Sequence, residues 1–189
     1  FTKMIKVPGQ NAGFAKASII TDDDRCSNKK DSTYISKDLD FDDDLTGLID
    51  KIEQGAPSDR FNSITALCSD NIVKCFGAVK TLEYALALEP NNIAYLLDAI
   101  TSVYTEVGPK LKEKVDAEAN QQLKALMIWL FVRSRNSAKA QVAQTLGRTL
   151  QKHFQARANG ETITSPFVVP QYIKDAIYNV TRELPVSEE

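Results

Sequence analysis

The chain has 189 residues, of which 43% are hydrophobic and 25% charged, with a formal net charge of −2. This suits one domain, or one domain with a tethered arm, and supplies a continuous core without help from disulfides. The longest apolar run, Ala125 to Val132, falls far short of the roughly 18 residues of a membrane-spanning helix, so no membrane role is expected.

Residues 1–40 lack helical periodicity and hold β-leaning runs at Met4 to Val7, Ala17 to Ile20 and Thr33 to Ser36 among Asp- and Lys-rich stretches. They are expected to form an extended arm. A helical body is expected over residues 41–158. Asp42, Asp43 and Asp44, whose carboxylates suit the positive end of a helix dipole, precede or open its first helix, which carries Leu45, Leu48, Ile49 and Ile52. Gly55 and Pro57 end it. Ser58 or Asp59 caps a second helix through Phe61, Ile64 and Leu67. A third is predicted from about Asn71 to Glu89, with Ile72, Cys75, Phe76, Val79, Leu82 and Leu86 at helical spacing.

Pro90-Asn91-Asn92 breaks the chain. A fourth helix runs from Ile93 to Val107, and a fifth from about Lys110 to Phe131 or Val132 carries Leu111, Val115, Leu123, Leu126 and Leu130 along one stripe. Ser137 caps a sixth, with Val142, Leu146, Leu150 and Phe154 inward, stopped by Asn159-Gly160. Residues 159–189 are read as a C-terminal arm, extended from Thr162 to Val169 and then a short helix through Ile173, Ile177 and Val180. The fold class expected is all-α: a compact body of about six to seven helices with extended N-terminal and C-terminal arms.

Cys68 and Cys75 fall seven residues apart in the third helix, which separates them by about 10 Å, too far to bridge. With Cys26 they are read as small core residues of a reducing, intracellular (cytoplasmic) setting, not a secreted one. Asp38, Asp40 and Asp42 alternate like the start of a calcium loop, but Asp43 stands where that loop needs glycine and Ile49 where it needs glutamate. His153 is the single histidine, which excludes His-rich metal sites and reads as a packed structural residue. No glycine-rich phosphate loop occurs. Neither an enzyme, a metal nor a cofactor is expected.

Ala85-Leu86-Ala87-Leu88-Glu89-Pro90-Asn91-Asn92, with Ala78 and Leu82 before it, resembles the second helix and closing turn of a tetratricopeptide repeat. The likeness covers about fifteen residues and implies helices packed through small side chains. No second copy of the pattern follows, so it is taken as a helix-break-helix coincidence.

Charge is the most informative pattern. Residues 22–59 hold twelve acids against five bases, whereas the 42 residues from Ala119 to Gly160 hold seven bases and no acid. On the sixth helix, Gln141, Gln144, Arg148, Lys152 and Gln155 share one face, and Arg133 and Arg135 precede it at a helix junction. The leading expectation is a non-enzymatic, self-assembling RNA-binding protein of nucleocapsid or coat type. Arg133, Arg135, Lys139, Arg148 and Lys152 would neutralise the phosphates of single-stranded RNA, and the arms would join neighbouring subunits into a homo-oligomer. The competing readings are a helical scaffold or adaptor with an apolar groove, and bases that pair with residues 22–59 of the same chain.

Overall fold

A computed structural model describes residues 16–68, 73–135 and 139–181; the Met4 to Val7 run, Ile72 and the Ser137 cap lie outside them. In chain order the elements are β1 (Ala17–Asp22), α1 (Leu48–Gln54), α2 (Asp59–Leu67), β2 (Val73–Ala78), α3 (Leu82–Leu88), α4 (Asn92–Val103), α5 (Gly108–Ala117), α6 (Gln121–Ser134), α7 (Lys139–Ala158) and α8 (Gln171–Thr181). Helices dominate, yet β1 and β2 pair in parallel, Ala17 opposite Val73 through Asp22 opposite Ala78. The fold is therefore mostly helical with a small parallel sheet, not purely all-α.

Strand β2 is where the helical reading fails. Cys75, Phe76 and Val79 recur at helical spacing, but Val73, Phe76 and Val79 favour a pleated surface and Gly77 weakens a helix. Gly77 also lets Phe61 of α2 press on the strand: a Cβ there would stand 2.4 Å from the Phe61 ring. The helix expected from Asn71 begins only at Leu82, where the Thr81 hydroxyl accepts the N–H of Tyr84. Cys68 follows α2 and Cys75 lies on β2, so the two do not share a helix.

The longest apolar run becomes the centre of the molecule. Ala125, Leu126, Ile128, Trp129, Leu130, Phe131 and Val132 are all buried, and a helix apolar on every side belongs inside. Helices α1, α3, α4 and α5 pack around it. The single helix expected from Lys110 to Val132 is broken between Ala117 and Gln121. Asn120 Oδ1 accepts the N–H groups of Gln122 at 2.8 Å and Leu123 at 3.2 Å, a side-chain cap that starts α6 afresh.

Both expected arms are folded onto the body where described. Cys26, Ile35 and Phe41 enter the core. Asp42, Asp43 and Asp44 precede helix α1, which begins at Leu48, and do not open it, because Asp43 and Asp44 accept the backbone N–H groups of Asp40 and Thr46 in turns. At the other end α8 covers the sheet: Ser18 Oγ donates to the Ala176 carbonyl at 2.7 Å, and Asn179 Nδ2 to the Ala17 carbonyl at 3.3 Å. The segment before α8 is held by α4. Fully buried Asn92 donates to the carbonyls of Leu86 (3.0 Å) and Val168 (2.8 Å) and accepts the Val168 N–H at 2.8 Å. The Tyr95 hydroxyl donates to the Ser165 carbonyl at 2.6 Å, so it accepts from His153 Nδ1 at 3.0 Å.

Candidate functional site

The five basic residues do not converge on one surface. Arg133 and Arg135, at the end of α6, turn toward residues 36–41. Arg133 Nη2 donates to the carbonyls of Ser36 (2.8 Å) and Leu39 (3.0 Å), with its guanidinium 4.4 Å over the Trp129 ring. Arg135 grips both Asp40 oxygens, at 2.9 and 2.8 Å, and lies 4.1 Å over Phe131. Burial alone would raise the Asp40 carboxyl, but the bonds from Arg135, the Phe41 N–H and Ser134 outweigh it and hold the group below its ordinary range. Lys139 pairs with Glu83 at 2.6 Å. The Arg135–Asp40 pair thus matches the basic stretch with the acidic segment within one chain.

Arg148 and Lys152 behave differently. Both are exposed, as are Gln141, Gln144 and Gln155 on the same face, and among the described residues neither side chain forms an ion pair. Helix α7 runs 20 residues and buries only Val142 and Leu146. Lys139, nine residues before Arg148, sits half a turn round the helix and about 14 Å along it. Lys139 therefore faces the body while Arg148 and Lys152 face away.

What the structure does bring together is Arg133 and Lys139, around a cavity of about 340 Å³ whose walls also include Asp24, Tyr34, Lys37, Lys80, Glu83 and Trp129. Lys80 is 4% exposed; its ammonium donates to the Arg25 carbonyl and lies 4.9 Å from the centroid of the Trp129 ring, which Arg133 also contacts. Its backbone is left-handed at φ 68°, held by the Lys80 N–H donating to Asp23 Oδ1 at 2.8 Å. Arg133 Nε is buried and has no hydrogen-bond partner among the described residues. Desolvation pushes the pKa values of Lys80 and Arg133 down.

Sequence reasoning missed Lys80 and Lys37. Reading residues 71–89 as one helix hid Lys80 inside it, and Lys37 was assigned to the arm. The available signal was Thr81: a cap at that position puts Lys80 in the turn before a new helix.

A second concavity, of about 440 Å³, lies among α3, α4, α6 and α7 and is walled mainly by apolar side chains, including Leu82, Leu86, Ile100, Val132 and Leu146. Among the described residues no helix is long and apolar enough to cross a membrane. Nor does any group of three or more His, Cys, Asp or Glu side chains among them stand close enough to hold a metal ion. Comparison of the chain with protein-family models, with curated proteins and with solved structures finds no match.

Proposed function

We propose that this chain is a non-enzymatic single-stranded RNA-binding protein whose contact with the phosphate backbone is the exposed face of α7. The observation that carries this reading is an acid-free helix of 20 residues on which Arg148 and Lys152 are exposed and without ion pairs among the described residues. Cations in that state attract phosphates and release the counterions condensed on the strand, and the flanking Gln141, Gln144 and Gln155 amides can donate to phosphate and sugar oxygens. Arg133 and Arg135 drop out of the backbone contact, because carbonyls and Asp40 already hold them. Self-association of the nucleocapsid kind belongs to the same proposal. It would use surfaces other than the described parts of the arms, which pack within the chain.

The test is fluorescence anisotropy with a labelled single-stranded RNA across a range of salt, beside an Arg148→Glu/Lys152→Glu variant. Two neutralised phosphates give a log-log slope of about −1.4, and the variant should lose that much of the slope. Unchanged affinity in a variant with intact helical circular dichroism refutes the reading.

A helical interaction scaffold is the second reading, favoured by the apolar concavity among α3, α4, α6 and α7. It predicts partner binding that ignores salt and is lost on Leu82→Glu, a substitution at a wall residue that is 40% exposed.

A further inference from the structure

We propose that the cavity between Lys80 and Arg133 is a binding site for a phosphate-bearing anion. Its wall holds four cations, Lys37, Lys80, Arg133 and Lys139, against two carboxylates, Asp24 and Glu83. Glu83 pairs with Lys139 within the wall at 2.6 Å and Asp24 with Arg60 at 3.5 Å, so among the described residues Lys37, Lys80 and Arg133 are the wall cations without an ion pair. Among the described residues the Lys80 and Arg133 side chains, by contrast, hydrogen-bond only to neutral acceptors: the Arg25 carbonyl for one, the Ser36 and Leu39 carbonyls for the other. Asp23 and Asp24 act on the Lys80 ammonium, and Asp38 and Asp40 on Arg133, only through space, and burial still outweighs them, a desolvation cost that an anion in the cavity would offset.

Donor supply points the same way. An ammonium carries three N–H groups, and among the described residues one bond from Lys80 Nζ is formed. The Trp129 ring, itself 3% exposed, is in contact with both cations, at 4.9 Å from Lys80 Nζ and 4.4 Å from the Arg133 guanidinium. Lys80 holds its place at the cost of a left-handed backbone, secured on both sides by Asp23 Oδ1 accepting the Lys80 N–H and the Asp24 N–H donating to the Lys80 carbonyl at 3.2 Å. Tyr34, Ser27 and Thr81 add hydroxyls to the wall. A volume of about 340 Å³ lies at the small end of ligand pockets, room for a phosphate with a compact organic group attached. The site stands independently of the α7 face, since none of its residues belongs to the Arg148–Lys152 surface.

The experiment uses the full chain, with calorimetric titration and thermal unfolding in inorganic phosphate, adenosine 5′-monophosphate and adenosine, each against chloride at matched ionic strength. Phosphate and the mononucleotide should bind and raise the melting temperature, and adenosine should not. Equal affinity for the two phosphates marks free phosphate as the source, and tighter mononucleotide binding marks a nucleotide or nucleic-acid end. Lys80→Met should weaken phosphate binding by about thirtyfold or more, and Lys37→Glu, at an exposed position, by about threefold. Absence of any response beyond chloride overturns the site, as does unchanged phosphate binding in folded variants. If Lys80→Met does not fold, Lys37→Glu decides the matter.

Discussion

Replacing Arg135 with Ala separates the structural bases from the proposed binding ones. The guanidinium forms a two-pronged bond to Asp40 with side chains 23% and 33% exposed, respectively. Exposed ion pairs give about 0.2–1 kcal/mol, and charge-assisted hydrogen bonds about 1.5–3, so a pair two-thirds or more buried belongs near about 1.5 kcal/mol. Stacking of Arg135 on Phe131 adds about 0.5–1 kcal/mol. Arg135→Ala is therefore expected to cost about 2 kcal/mol in urea unfolding followed by circular dichroism, and a double-mutant cycle with Asp40→Ala should return about 1.5 kcal/mol of coupling. Asp40 is held below its ordinary value in the folded state. Its contribution is thus complete above the unfolded carboxylate range and fades as pH falls through the folded value, so wild type and variant should converge in acid. RNA affinity should stay within about twofold of wild type, because Arg135 faces Asp40 and not solvent. A coupling below about 0.3 kcal/mol, or a loss of RNA affinity equal to that of the Arg148→Glu/Lys152→Glu variant, would refute the division of labour.

Two further outcomes follow from single buried groups. Asn92→Ala removes three hydrogen bonds to the backbone of Leu86 and Val168; it should cost about 3 kcal/mol and make residues 161–181 the first cut by protease. Tyr84 and Tyr172 have pKa values pushed up to about 12, chiefly by burial, with Glu53 adding to the first and Asp22 and Glu83 to the second. In alkaline titration followed by ultraviolet absorbance, Tyr84 and Tyr172 should ionise late in the folded chain and move down to near about 10 once denaturant is added.

The helices with strong caps and wide apolar stripes were legible. Ser58 caps α2 through the Phe61 N–H, and Asn159-Gly160 ends α7 as its composition indicated. Elements decided by partners distant in sequence were not. Nothing local to Val73 to Ala78 announces that Ala17 to Asp22 lies beside it, and a strand whose apolar spacing also fits a helix is settled by that pairing. The basic stretch was legible as composition, and its division was hidden. Whether Arg135 meets Asp40 or solvent depends on how residues 36–41 return across the end of α6, a packing decision that no periodicity records. Lys80 was hidden by the same misread helix.

Vectorial synthesis gives the β1–α8 contact a timing. The Ser18 hydroxyl and the Ala176 carbonyl that accepts from it are 158 residues apart, a delay on the order of 10 s at ordinary elongation rates. The parallel pair can form as soon as residue 78 has emerged, but α8, which covers it, follows only after α3 to α7. A nascent chain spends that interval with its sheet lacking the α8 cover. Premature termination anywhere before Gln171 would leave every copy in that state, presenting a two-stranded ribbon without its α8 cover to the quality-control machinery of the cell.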